Sequence, residues 1–356
     1  MYVRFKLSPL LAGSAIAVLA SLSMLASSPA LAARAQPQRP AVAKGAIVTS
    51  KPISRKEAIK IVKYWTLARR RKATPPTSLI GKPSPGAFTP TGKPVVLSGG
   101  PPAGHGKPGP AMQPDSNVPA GLYTQYPYAV NGVLFFINHG NHWCSATVVT
   151  SFQGQLGGPE NEIWTAGTCV ANVGGLHPNP SLTNVDWDTA AMFVPAYNQV
   201  TGAEPFGTFA MLRLATTSGW AGSSDPRVNE GAMLTYNSSV TGHVLGSAVG
   251  YSGFGYNASV FSSYDVFGYS PTDLTHITTG PTIAFGLVNP IMLTFGAPGG
   301  PVGGPWDVMW RASPASPGYI NGVSTGSGQF LFWQVTFSPY MNTLSDEVRC
   351  FSNTAC

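Results

Sequence analysis

Two glycine-rich stretches have the residue types and freedom of backbone to hold a reacting group. They are Gly299 to Trp306, GGPVGGPW, and Gly322 to Gly326, GVSTG. The first feeds an aromatic and the apolar run Val308, Met309 and Trp310, so it reads as a tight backbone loop set against a buried strand. The second fits the G-x-S-x-G pattern of hydrolase elbows, with Ser324 as its hydroxyl, but lacks the strand-to-helix context which that pattern requires. Attack by a hydroxyl needs an imidazole within hydrogen-bond reach and a carboxylate that fixes the imidazole's tautomer. His177, His243 and His276 lie in loops or turn-flanked stretches, where a solvated or locally bonded histidine is the default. His139 and His142 are three apart, yet no carboxylate or cysteine completes a metal site beside them, so no metal or other cofactor is expected.

The elements that must position these residues are short. Gly132 to Ile137, Cys144 to Thr150, Glu162 to Ala166, Ala190 to Val194, Phe206 to Leu214, Ala232 to Tyr236, Val244 to Val249, Ile291 to Phe295 and Leu331 to Phe337 are apolar or alternating runs between Gly, Pro, Asn and Ser turns. That spacing predicts an all-β sandwich or barrel. Ser338-Pro339 is expected to open a short C-terminal helix running through Val348, with Ser as cap and Pro at the first position. Trp143, Trp164 and Trp306 are expected to fill core space beside the cysteines and the loop. Asn237-Ser238-Ser239 and Asn257-Ala258-Ser259 fit glycosylation sequons.

The charge of +7 over 356 residues is divided sharply. Residues 1–121 hold 17 Lys and Arg against 2 Asp and Glu, whereas residues 122–356 hold 4 against 12, that is +15 and −8. The globular part is therefore acidic, and the basic balance does not indicate a nucleic-acid binder. Residues 1–32 combine a charged start, an apolar run from Leu10 to Ala26 and the small-x-small site Ala30-Leu31-Ala32, as in a secretory signal peptide. The product is expected to be secreted, with no membrane attachment after cleavage.

Residues 33–76 are basic and carry one helix. Ser54 and Glu57 form a capping box with Ile53 as staple, and Ala58, Ile61, Val62, Trp65 and Ala68 recur at helical spacing. Arg69 to Lys72 fill its last turn, and Thr74-Pro75-Pro76 ends it. A helix of this length is marginal alone, so its apolar face should dock, and the acidic domain is the partner favoured over a membrane surface. Residues 77–121 read as a Pro- and Gly-rich linker, and residues 122–356 as the folded domain. Four cysteines in a secreted chain allow three pairings, of which local spacing favours Cys144 with Cys169 and Cys350 with Cys356.

The run CSATVVTS from Cys144, followed by TAGTC ending at Cys169, resembles the start of the first barrel in trypsin-like serine peptidases. Their pattern is CSAT-V-S and then TAGHC, so the catalytic histidine falls on Thr168. Trp220 to Val249 resembles the corresponding stretch of the bacterial glutamyl-endopeptidase-like branch, which puts the catalytic aspartate on Asn229, with Asp225 as runner-up. GGPVGGPW resembles that branch's GxSGGP(W) loop, with Val302 in the place of the nucleophilic serine. The resemblance covers roughly residues 122 to 345. It implies a double β-barrel of the trypsin/chymotrypsin type, oxyanion-hole-like N–H groups on Gly300 and Val302, and a peptide-binding edge at Ser324, Thr325 and Gly326. The basic segment resembles the pro-regions of such peptidases.

With Thr168, Asn229 and Val302 in those positions, base, orienting carboxylate and nucleophile are all lost. The expectation is a catalytically inactive homologue that binds a peptide or protein partner through the remaining cleft. The alternative is an active hydrolase using a relocated pair such as Ser324 with His177 or His243.

Overall fold

The computed structural model describes residues 46–76, 92–103, 116–119, 121–151, 161–172, 185–238, 241–259, 262–271, 274–285, 291–295, 302–308, 318–330 and 333–351. The expected signal peptide, Gly300, Pro301, His177 and Cys356 lie outside them.

The alternating runs of the middle of the chain close a barrel. Strand Asn131–Ile137 turns at Asn138–Gly140 and pairs along its length with Asn141–Val148, Phe136 facing His142. Its other edge takes Thr189–Pro195, which pairs in turn with Phe209–Thr217. Phe209–Thr217 then pairs with Gly231–Thr235, that strand with Glu162–Thr165, and Glu162–Thr165 with the end of Asn141–Val148. Six antiparallel strands thus form a ring, which leaves no edge within it. Leu134, Val148, Ile163, Phe193, Leu214 and Met233 share one face of the ring and are buried.

The later strands form two sheets. One has seven strands in the order 95–97, 253–256, 319–323, 305–308, 263–269, 274–281 and 116–117, with a parallel pair between 253–256 and 319–323. The other has four, in the order 283–285, 291–295, 333–339 and 326–330. The chain passes from one to the other at Ser324–Thr325, where the Thr325 N–H donates to Phe337 O at 2.9 Å. Trp143, Trp164 and Trp306 are all buried, as their size leads one to expect.

Residues 46–76 are built into the barrel. Strand Ile47–Thr49 adds to Phe209–Thr217 antiparallel, and the Arg213 guanidinium donates to Ser50 O and Thr49 Oγ1. Helix α1, Arg55–Tyr64, carries the capping box of Ser54 and Glu57 and buries Ala58 and Ile61. The sequence reads as one helix through Lys72, but the chain leaves helical geometry at Trp65 and restarts as α2, Leu67–Lys72, capped by Thr66. The cause is Trp65. Its ring packs 5.4 Å from Phe135 and its indole N–H donates to Ala190 O at 2.6 Å, a pose that outweighs two more helical residues.

Three further expectations differ from the fold. Within residues 77–121, read as a linker, Val95–Leu97 and Ser116–Asn117 are strands paired to 253–256 and 274–281. Val244 to Val249, an apolar run of strand length, forms helix α4 at Leu245–Val249, after the Phe209–Thr217 strand has been followed by α3 at Ser218–Ser223. Short apolar runs do not distinguish the two states by period. The C-terminal helix, α5, starts at Thr343, since Ser338 and Pro339 still belong to strand Trp333–Pro339. Pro339 pairs with Ile291, the Ser338 hydroxyl takes the N–H of Val323, and Asn342 caps the helix with Ser345.

Candidate functional site

Thr168 lies in a single 3-10 turn, Gly167–Cys169, just after strand Glu162–Thr165. Asn229 ends a second such turn, Pro226–Val228, just before Gly231–Thr235. Those two strands are paired, Gly231 against Thr165, so the turns meet at one end of the barrel. A Cβ at Gly231 would stand 2.9 Å from Ala166 O, which fixes how closely the two approach. The Thr168 N–H donates to Asn229 Oδ1 at 2.9 Å. Both residues are buried, and the Asn229 Nδ2 has no acceptor among the described residues. Asp225 is engaged elsewhere: it caps the Pro226–Val228 turn and pairs with Arg227 at 2.7 Å.

Val302 is buried on the other side of the same junction. The Ser145 N–H donates to Val302 O at 2.9 Å, and Thr165 Oγ1 donates to Ser145 O at 2.8 Å. Ser145 follows Cys144, which is joined by a disulfide to Cys169, the neighbour of Thr168, with Cα atoms 6.2 Å apart. Thr168, Asn229 and Val302 are thus connected to one junction by two hydrogen bonds and a disulfide. Cys350 is disulfide-bonded as well, while Cys356 lies outside the described residues.

Gly303 has φ +88°, and a Cβ there would collide with Ser145 O and Thr165 Oγ1. Gly304 approaches Phe267 O as closely. These two glycines let the loop press against both lobes, and the Ser145 hydroxyl reinforces the contact by accepting the Tyr269 N–H at 2.8 Å. The loop and the 322–326 stretch are tied to each other, with Gly303 N–H to Ser324 O at 2.6 Å and Ser324 N–H to Gly304 O at 2.7 Å.

That tie decides what Ser324 can do. Its side chain is fully buried and its hydroxyl accepts the Trp306 indole N–H at 3.0 Å. Thr325 is buried too, and Gly326 opens strand 326–330 at the edge of the four-stranded sheet. His243 is exposed. His142 Nδ1 lies 3.4 Å from the Thr74 hydroxyl and 3.1 Å from its carbonyl, and His139 lies 3.6 Å from Asp186 on the surface. Among the described residues no group of three or more His, Cys, Asp and Glu is placed to hold a metal. Asn257 of the second sequon is buried and its amide donates to Lys93 O and Thr343 Oγ1, so the folded chain does not present it to a glycosylating enzyme.

Chemically, the junction offers an amide, a threonine hydroxyl and an isopropyl group. None of them is basic near neutral pH, and Val302 has no nucleophilic atom. Two groups beside it were passed over in the sequence. Glu230, next to Asn229, is buried with one bond from the Ser345 hydroxyl at 2.8 Å, and burial pushes its carboxyl up to about 8. Thr74 bonds to the strand that carries Ser145, a contact between residues 68 apart that no local pattern announces. A cavity of about 350 Å³ lies elsewhere, lined in part by Tyr126, Phe206 and Val249.

The sequence matches no protein-family model and no curated protein sequence. Solved structures do match. A thermostable serine protease, AL20, from an extremophilic microorganism is 22% identical with a TM-score of 0.52, over 64% of this chain and 98% of that one. Protease Anisep from Arthrobacter nicotinovorans is 22% identical with a TM-score of 0.49, over 72% and 99%. A Glu endopeptidase is 14% identical with a TM-score of 0.48, over 68% and 97%. The closed six-stranded barrel and the likeness to AL20 establish a chymotrypsin-type fold, and at this identity the likeness speaks for fold alone.

Proposed function

We propose that this chain is a secreted, catalytically inactive homologue of the trypsin-like serine peptidases that binds a peptide or protein partner in the cleft where those enzymes cut. One observation carries the reading. Thr168 is bonded to Asn229, and Val302 is bonded through Ser145 to the same disulfide-linked junction, yet none of the three side chains can serve as base, orienting carboxylate or nucleophile. In a serine peptidase with an intact triad, loss of the whole triad costs about 10⁶-fold in turnover. The alternative of a relocated nucleophile has no support at Ser324, whose hydroxyl is held inside by Trp306.

The test uses the full chain, purified as secreted, with peptide ester substrates and a fluorophosphonate probe. The expected result is no labelling and no turnover above the uncatalysed rate. Turnover or labelling that survives purification and disappears in Ser324→Ala, or in any other single hydroxyl replacement, would overturn the proposal.

A further inference from the structure

One edge of strand Asn141–Val148 is occupied throughout by strand Asn131–Ile137. On the opposite edge, Thr147 and Val148 pair with strand Glu162–Thr165, and Ser145 takes the Val302 carbonyl. The next rungs are filled by a residue from far away in the chain. The Thr74 N–H donates to Asn141 O at 3.1 Å, and the Trp143 N–H donates to Thr74 O at 3.0 Å, in a parallel bridge centred on His142. Successive outward-facing residues of a strand are about 7 Å apart. Thr74 therefore stands one rung from Val302 on the edge that leads to the junction.

The contact has a second, ionic half. Arg70, four residues earlier, is largely buried, forms an ion pair with Glu204 and lies over the Tyr197 ring at 5.3 Å. A guanidinium fits such a site as an ammonium does not, because its plane lies over the ring while one terminal nitrogen meets the carboxylate. Arg71 donates to Val200 O at 3.4 Å beside it.

We propose that Thr74 is a built-in occupant of this edge, and that the surface it covers takes, when Thr74 is displaced, a basic peptide of another chain. That peptide would present an Arg to Glu204 and Tyr197, and four residues later a strand residue whose backbone pairs with Asn141 and Trp143. Backbone pairing supplies the strand register and the arginine site supplies selectivity. The inference rests on the proposal of an inactive chain that accepts a peptide, and the two fail separately: turnover overturns the inactivity, whereas the binding comparison below concerns Thr74 whatever the turnover.

The probe is a fluorescein-labelled peptide of residues 66–78, added to the full chain and to its Thr74→Pro variant, which lacks the N–H that Asn141 O accepts. The variant should bind the probe at least tenfold more tightly than the parent. The Trp143 amide should exchange with deuterium at least tenfold faster in the variant and slow again on adding probe. A probe with Gln for Arg70, or with the Thr74 nitrogen methylated, should bind at least tenfold more weakly. Equal binding to both proteins, or no change at the Trp143 amide, overturns the proposal. Should Thr74→Pro not fold, Thr74→Gly, which keeps both backbone groups and loosens the segment, is expected to give the same ranking, and equal binding there also overturns it.

Discussion

Glu230 shows how one residue can set the pH response of a fold. Its carboxyl is buried, accepts a bond from Ser345 and is pushed up to about 8 by desolvation. An acid whose folded value lies above its unfolded one keeps its proton longer in the native state. Stability is then highest below the usual glutamate range, falls as pH rises from about 4.5 to 8, and levels off above, with a total loss on the order of 5 kcal/mol from this group. Glu230→Gln keeps the shape and removes the titration. Chemical denaturation between pH 5 and 9 should give a flatter profile for the variant and a higher stability than the parent at pH 8. The sequence placed Glu230 beside Asn229 without hinting at this, because burial depends on α5, more than a hundred residues away, delivering Ser345 to it. Thr168, Asn229 and Val302 were singled out by another route, the resemblance of short local motifs to those of trypsin-like peptidases, which needs no distant partner.

Among the elements, the helices are the most dependent on tertiary contacts. Helix α1 was readable from its capping box and apolar spacing, but its end at Trp65 follows from a packing contact with Phe135 that the spacing does not contain. Helix α4 was read as a strand because five apolar-rich residues satisfy either state. Helix α5 is held by an ion pair. Arg349 and Asp346 are both without exposure and 2.6 Å apart, the Arg349 guanidinium also donates to Thr150 O at 2.7 Å, and it lies over the Phe254 ring. Removing one partner leaves the other charge buried without its counter-ion, so Arg349→Ala is expected to cost about 3–5 kcal/mol. The double change Arg349→Met with Asp346→Leu should recover most of that loss. Urea unfolding of the three proteins checks this, and equal stability of the parent and Arg349→Ala would show that the pair does not hold the helix.

Over the whole molecule, the mostly β character was visible in the turn spacing, whereas the sheet pairings were not, since register is set by partners distant in sequence. The disulfide between Cys144 and Cys169 spans 25 residues and joins strand Asn141–Val148 to the Gly167–Cys169 turn of the junction. Reducing it frees a loop whose closure entropy amounts to ~3.5 kcal/mol in the chain-entropy model. The double replacement Cys144→Ala with Cys169→Ala is expected to lower the unfolding midpoint in urea accordingly, and an unchanged midpoint would show the junction to be held by its hydrogen bonds alone. Residues 46–76 lie on the barrel, whereas 95–97 pair with the second lobe. The intervening chain from Pro76 to Gly92 has sixteen peptide steps and reaches at most about 55 Å when fully drawn out. A strand 95–97 that came away from its sheet would still be tethered to the first lobe, at an effective concentration on the order of millimolar. Its return would be a unimolecular event, independent of how dilute the protein is.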